Sequence, residues 1–235
     1  ALVRSPAGLT LQRNVSLDAS TREFIFYLDD DCLPQPGYFR AIRQVFAVSG
    51  PEVGAVTGTA INLIGRPLPL RWRVRLALGL VPRGEPGKYR ATGTTVPERL
   101  SAPFTGTRTV DSLSGGIAAY RRAVLMKHRF SRFFYGYAQG EDFEMSLRIG
   151  QEWKLLWCGD AHVVHRHAQG GRPASADKGR MEVRNRYFIW RRYSPAAPLN
   201  EGGADFGVEL AFPGEERIKF EAGALFPLAG LDPKT

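Results

Sequence analysis

The chain has 235 residues, 43% of them hydrophobic, two cysteines and a formal net charge of +9. This length fits one large domain or two small ones. Two cysteines beside apolar runs exclude a disulfide scaffold and read as buried free thiols, and no stretch approaches the length of a membrane span. The positive charge calls for an anionic partner: a nucleotide, a nucleic acid or acidic lipid headgroups.

Residues 1–22 are mixed and polar, with Leu9, Leu11 and Val15 able to face a core from a short helix or an irregular segment. Then Phe24-Ile25-Phe26-Tyr27-Leu28 runs straight into Asp29-Asp30-Asp31-Cys32. An unbroken apolar run reads as a strand buried on both faces. Three adjacent acids cannot share that interior. They belong at its carboxyl end, either in a cleft, a common site position, or on a solvated turn before Pro34 and Pro36. Adjacent carboxylates repel, and a hard divalent ion such as Mg²⁺ or Mn²⁺ is the simplest way to keep them ionised together.

Pro36-Gly37 leads into a helical pattern with Phe39, Ile42, Val45 and Phe46 on one face, ended by Ser49-Gly50-Pro51. Residues 53–63 read as a strand. Residues 70–81 mix three arginines with apolar residues. That stretch is either an interfacial segment on an anionic membrane or a surface element with solvated arginines. Residues 83–107 read as a loop. Ser114-Gly115-Gly116 allows close backbone approach to a ligand, or simply a tight turn; it matches no phosphate-loop or dinucleotide fingerprint.

An aromatic cluster spans 129–137, followed by Gly140-Glu141-Asp142. Glu141 and Asp142 fit the first turn of a short helix, where the dipole favours acids, with Gly150 as its stop. Residues 153–158 form a strand, Gly159-Asp160 turns the chain, and 161–165 form another strand-like piece. His162, His165 and His167 fall within six residues. His165 and His167 share a face of an extended chain, as a metal site or as an ordinary pair. Residues 177–193 read as a basic helix whose arginines either meet phosphates or lie in water. Residues 198–235 form a tail of unassigned role after a domain over 1–197.

The order of these signals carries more than any one of them. An apolar strand ending in Asp29-Asp30-Asp31 comes first, then Ser114-Gly115-Gly116 before an Arg-Arg pair. An aromatic run ending in Gly140-Glu141-Asp142 follows, and then a strand ending in Val163-Val164-His165. Together they resemble the inverting glycosyltransferases of family 2, and Arg13-Asn14 and Arg184-Asn185-Arg186 look like that family's bacterial sugar transferases. The resemblance covers roughly residues 5–193. It implies an α/β GT-A fold, a three-layer α/β/α sandwich with a Rossmann-like half. The family's N-terminal βα units have no counterpart ahead of residue 23, so the fold is expected to be N-terminally incomplete.

The resemblance also implies roles. Asp29 and Asp31 match the Asp-x-Asp motif, whose acids hold a divalent cation (Mn²⁺ or Mg²⁺) on the donor diphosphate. Asp30 is the middle acid, expected to bind the donor at its ribose or metal, and His165 matches a histidine that completes the metal site. Ser114, Gly115 and Gly116 match a turn that lines the donor sugar. Asp142 is the expected catalytic base, and Glu141 is expected to position it or to bind the acceptor. Arg166 and Arg172 are expected beside the diphosphate, and the loop at 168–176 is expected to close over the donor. The implied partners are a UDP-, GDP- or dTDP-linked sugar and a saccharide or lipid-linked acceptor at the cytoplasmic face of a membrane. No nucleic acid is expected, because the sequence has no helix-turn-helix, zinc-finger or RNA-binding signature. The competing expectation is a truncated, inactive relative that binds saccharide or anionic lipid.

Overall fold

The apolar run at 24–28 does form a strand, β1 (Phe24–Leu28), but at the edge of the sheet. The structure, a computed structural model, describes residues 3–90, 93–167 and 173–193, with the backbone of the short ladder Glu209–Leu210/Ile218–Lys219. Ahead of β1 lies helix α1 (Leu9–Ala19). After it come β2 (Cys32–Pro34), α2 (Tyr38–Val48), β3 (Val53–Ala60) and α3 (Leu70–Ala77). The stretch expected as a loop contains the hairpin β4 (Tyr89–Arg90)/β5 (Thr94–Thr95), a 3₁₀ turn at Glu98–Leu100 and, at its end, β6 (Thr107–Val110). Then follow β7 (Ile117–Arg121), α4 (Arg122–Lys127), α5 (Glu141–Ile149), β8 (Lys154–His165) and α6 (Ser175–Tyr193).

The main sheet is mixed. β1 pairs antiparallel with β7, β7 antiparallel with β3, and β3 parallel with β8. The far side of β8 is shared: β6 pairs with its first half and β2 with its last residues, with Cys32 opposite His165. Helices cover both faces, giving the three expected layers. On one face Leu17, Leu125, Met145 and Ile149 pack on Ile25, Tyr27, Tyr120 and Trp157. On the other, Tyr38, Ile42, Val45 and Phe46 of α2 pack on Val56, Ala119, Cys158 and Val163. Each such large side chain contributes about 1.5–3 kcal/mol.

Three further expectations change. The strand buried along its whole length is β3, at the centre of the sheet; β1 touches both cores, but Phe24, Phe26 and Leu28 stay only partly buried. On α2 the inward aromatic is Tyr38, whereas Phe39 is 47% exposed and meets Phe26 edge-on. Residues 153–165 are not two pieces. β8 is continuous, with a bulge where Thr57 and Thr59 pair with Trp157 and His162. Gly159 sits in that bulge because a Cβ there would lie 2.2 Å from the Phe104 carbonyl oxygen, and Asp160 accepts the Gly106 N–H at 2.8 Å. Both cysteines are buried free thiols, as expected.

Candidate active site

β1 delivers Asp29, Asp30 and Asp31 to the rim of the sheet, where the Asp29 N–H donates to Gly116 O at 2.9 Å. Asp29 and Asp30 are exposed and Asp31 is half-buried. β8 delivers His165 to the same rim. The β2–β8 ladder aligns the two, and the Arg166 N–H donates to Asp31 O at 2.9 Å. Asn62 holds His165 from the other side, accepting its N–H at 3.0 Å and donating to its carbonyl at 2.8 Å. His165 Nε2 then stands 3.2 Å from Asp31 Oδ1. The His167 ring lies 4.0 Å from that of His165, but the strand ends at His165 and His167 has φ 53°, so the two rings meet without the expected shared face of an extended chain.

Asp31, Cys32 and His165 bring three donor atoms within 4.8 Å of one another. Neighbouring ligands on an octahedral ion with bonds of ~2.1 Å stand about 3 Å apart, which the Asp31–His165 spacing matches. Cys32 is a poor third ligand for a hard cation. Burial, with Asp29 and Asp31 adding, pushes its thiol up to about 12, so it stays protonated. Oxygen with imidazole nitrogen suits Mn²⁺ or Mg²⁺. Asp29, expected among the ligands, instead faces Arg13 at 3.7 Å. Burial raises its carboxyl, Arg13 opposes the rise, and Asp31 and Asp142 add to it.

The two glycines join this rim to the second acidic pair. A Cβ on Gly116 would lie 2.1 Å from Asp29 Oδ2, and one on Gly115 would lie 2.5 Å from Asp142 Cβ. Both carboxylates therefore occupy space that only glycine leaves open. Asp142 Oδ2 accepts the Gly115 N–H at 3.0 Å and Oδ1 accepts the Phe143 N–H at 2.8 Å. Ser146 Oγ donates to Asp142 O at 2.6 Å and accepts the Leu113 N–H, fastening α5 to the segment before the glycines. Upstream, Asn185 of α6 donates to Gln139 O at 2.6 Å, fixing the turn that launches α5.

Glu141 is not a solvated first-turn acid. It is buried, with Oε1 2.7 Å from Arg13 Nη1, and Arg13 is itself buried between the rings of Tyr27 and Phe130. Burial raises the Glu141 carboxyl, Asp142 adds to the rise, and Arg13 opposes it.

A cleft of about 300 Å³ opens at Asp142, lined also by Thr95, Glu98, Ser112, Ser114 and Phe143. Ser114 Oγ donates to Glu98 Oε2 at 3.3 Å. Burial pushes the Glu98 carboxyl up to about 7, with Ser114 opposing and Asp142 adding. A second cleft of about 330 Å³ lies between α1 and β1 and ends at Arg13 and Asp29.

Asp29, Asp31, Ser114, Gly116, Asp142 and His165 thus come together at one end of the sheet, with Gly115 and Glu141 buried behind them. Asp30 is exposed at the turn, and Arg166 is exposed and joins the site through its backbone N–H. Arg172 and most of the 168–176 loop lie outside the described residues. Arg13, Asn62 and Glu98 are the site residues to which sequence reasoning gave no role. The Arg13-Asn14 resemblance was the one signal for the first, and nothing signalled the others.

No family model matches the sequence, and no curated protein matches it. Solved structures do match. GalNAc-T7, crystallised with UDP, GalNAc and Mn²⁺, aligns with a TM-score of 0.52 at 18% identity over 78% of this chain and 34% of that one. Glucosyl-3-phosphoglycerate synthase from Mycobacterium tuberculosis, in complex with Mn²⁺, UDP and phosphoglyceric acid, aligns with a TM-score of 0.44 at 16% identity over 94% and 63%. The chain spans about a third of the length of the first and under two thirds of the second. The likeness to GalNAc-T7 is one of fold, and the chain has the expected GT-A α/β/α architecture.

Proposed function

We propose that this chain carries the catalytic core of an inverting glycosyltransferase. It would move a sugar from a nucleotide-diphosphate donor to a hydroxyl of a saccharide or lipid-linked acceptor. The observation that carries the reading is the Ser114-Gly115-Gly116 turn, which packs the Asp29 carboxylate against one glycine and the Asp142 carboxylate against the next. Donor-end acid and base are thereby held on a single turn. The fold shared with GalNAc-T7, whose crystal contains UDP and Mn²⁺, supports the same reading. UDP is the first donor nucleotide to test, with GDP and dTDP next.

Asp31 and His165 would hold a divalent cation, with Asp29 beside them, and the cation would offset the charge growing on the departing diphosphate. Asp142 serves as general base. Its two oxygens are oriented by the Gly115 and Phe143 amides, and it removes the proton of the acceptor hydroxyl as that oxygen attacks the anomeric carbon. One displacement inverts that carbon. Glu141 and Arg13 are positioning residues, because their buried pair fixes the start of α5. Glu98, protonated below neutrality, keeps the acceptor cleft from holding two full negative charges. Arg166 and Arg172 remain candidates for the diphosphate, and 1–197 is the proposed catalytic unit.

The test is calorimetric titration of the chain with UDP, with and without Mn²⁺, on wild type and Asp31→Ala. Mn²⁺-dependent binding that disappears in Asp31→Ala is expected. A folded wild-type chain that ignores UDP in Mn²⁺ would remove the donor site.

A further inference from the structure

Among the described residues, α3 is the one α-helix that buries nothing in the core. None of its residues is buried. Leu70, Val74 and Leu78 recur every four positions, one helical face, and are 72%, 44% and 56% exposed. Leu80, just past the helix, is 43% exposed. Arg71 and Arg73 flank this stripe and are also exposed. The opposite face anchors the helix: Trp72 lies under Arg75 at 5.8 Å and under Arg99 at 4.7 Å. Arg83 closes the C-terminal end by donating to Leu76 O at 3.0 Å. The stripe is therefore held outward on a secured helix.

The charge around the stripe selects its partner. Residues 53–84 contain five arginines and no acid. A second copy of this face would bring like charges together, whereas an anionic bilayer offers phosphates for the arginines and acyl chains for the leucines. We propose that α3 docks the protein on an anionic lipid surface. Leu70, Val74 and Leu78 enter the headgroup–acyl boundary, and Arg71 and Arg73 pair with lipid phosphates. This surface uses none of the residues assigned to donor or base. Arg99, which stacks on Trp72, is the chain neighbour of Glu98, so the docking helix is joined to a wall of the cleft at Asp142. On the reading above, the acceptor cleft is tied to the membrane-facing side.

The experiment is co-sedimentation of the full chain with phosphatidylcholine vesicles, with and without phosphatidylglycerol. Binding to the anionic vesicles that weakens with added salt is expected. Leu70→Ser/Leu78→Ser should reduce it about tenfold or more. Arg71→Gln and Arg73→Gln should each reduce it about fivefold and together remove the preference for phosphatidylglycerol. All four positions are exposed, so melting temperatures should stay at the wild-type value. Three results would overturn the proposal: no vesicle binding by wild type, equal binding by Leu70→Ser/Leu78→Ser, or a vesicle-free wild-type oligomer that this variant converts to monomer. The UDP titration is independent of all of these. A chain that binds UDP with Mn²⁺ but ignores vesicles loses only the docking surface, and the converse loses only the donor site.

Discussion

Asp29-Asp30-Asp31 and Glu141-Asp142 look alike as runs of neighbouring acids, yet the fold settles their charge by opposite means. The first run stands at the end of an edge strand, with Asp29 and Asp30 exposed and Asp31 half-buried; Arg13 lies 3.7 Å from Asp29 and His165 Nε2 lies 3.2 Å from Asp31. The second begins a helix. There Glu141 is buried on Arg13 at 2.7 Å, and both oxygens of Asp142 are taken by backbone amides. Repulsion inside the second pair is answered by groups of the chain itself. In the first, Arg13 stands farther from Asp29 and two of the three acids stay exposed, so water or a bound cation can add to what the chain supplies. Adjacent acids alone therefore do not mark a metal site; the informative difference is how closely the protein's own groups engage the carboxylates.

That contrast can be broken or sharpened by substitution. The largest effect is expected for Asp142→Asn: release of UDP from a UDP-sugar should fall ~10²–10⁴-fold, with calorimetric UDP–Mn²⁺ binding unchanged. Retained turnover would remove the base assignment. Arg13→Leu should act on stability, because it strands Glu141 as a buried unpaired acid. A loss of about 3–5 kcal/mol, seen as a melting point lower by about 10 °C, is expected, and Arg13→Leu/Glu141→Leu should recover much of it.

Gly116→Ala tests the open pair. The new methyl would meet the far end of the Asp29 side chain, which can swing into solvent, so melting should stay near wild type while UDP–Mn²⁺ affinity drops about tenfold. A large melting shift instead would mean that Asp29 is as fixed as Glu141. The smallest effect is expected at Glu98. Its folded-state pKa of about 7 lies above the ordinary 4.5, so the native state holds an extra proton between those values. Stability should then decline as pH rises through that window. Burial raises Glu141 in the same direction, so Glu98→Gln should make the decline shallower without removing it and gain about 1 kcal/mol at pH 8, measured by melting curves from pH 4.5 to 8.

The sequence order exposed both acidic pairs, the glycine turn and His165, because each sits where a local pattern changes: strand to turn, turn to helix, strand to loop. The helix at 38–48 was legible through apolar spacing and its stop signal, the one at 141–149 through its first-turn acids and Gly150, and the last as a basic helix over 177–193. Arg13 was not, because its partner Glu141 lies 128 residues away and an arginine in a polar stretch reads as solvated. Glu98 sits among Gly, Pro and Thr that read as loop, and only the fold turns it toward Asp142. β8 was cut in two because Gly159-Asp160 is turn chemistry locally. What makes it a bulge is the Phe104 and Gly106 backbone beside it, which no local pattern records.

The ladder between β2 and β8 has one more consequence. Asp31 and His165 come from segments far apart in the chain, and what holds them side by side is the Cys32–His165 register and the Arg166 amide on the Asp31 carbonyl. Their approach is thus a property of main-chain pairing, and that pairing has its own clock. The exchange rate of the Arg166 amide proton with solvent deuterium measures how often the last rung of the ladder opens, and each opening frees Asp31 from His165. One slowly exchanging backbone proton would therefore report, without any ligand, the fraction of time the two side chains stand ready to share one.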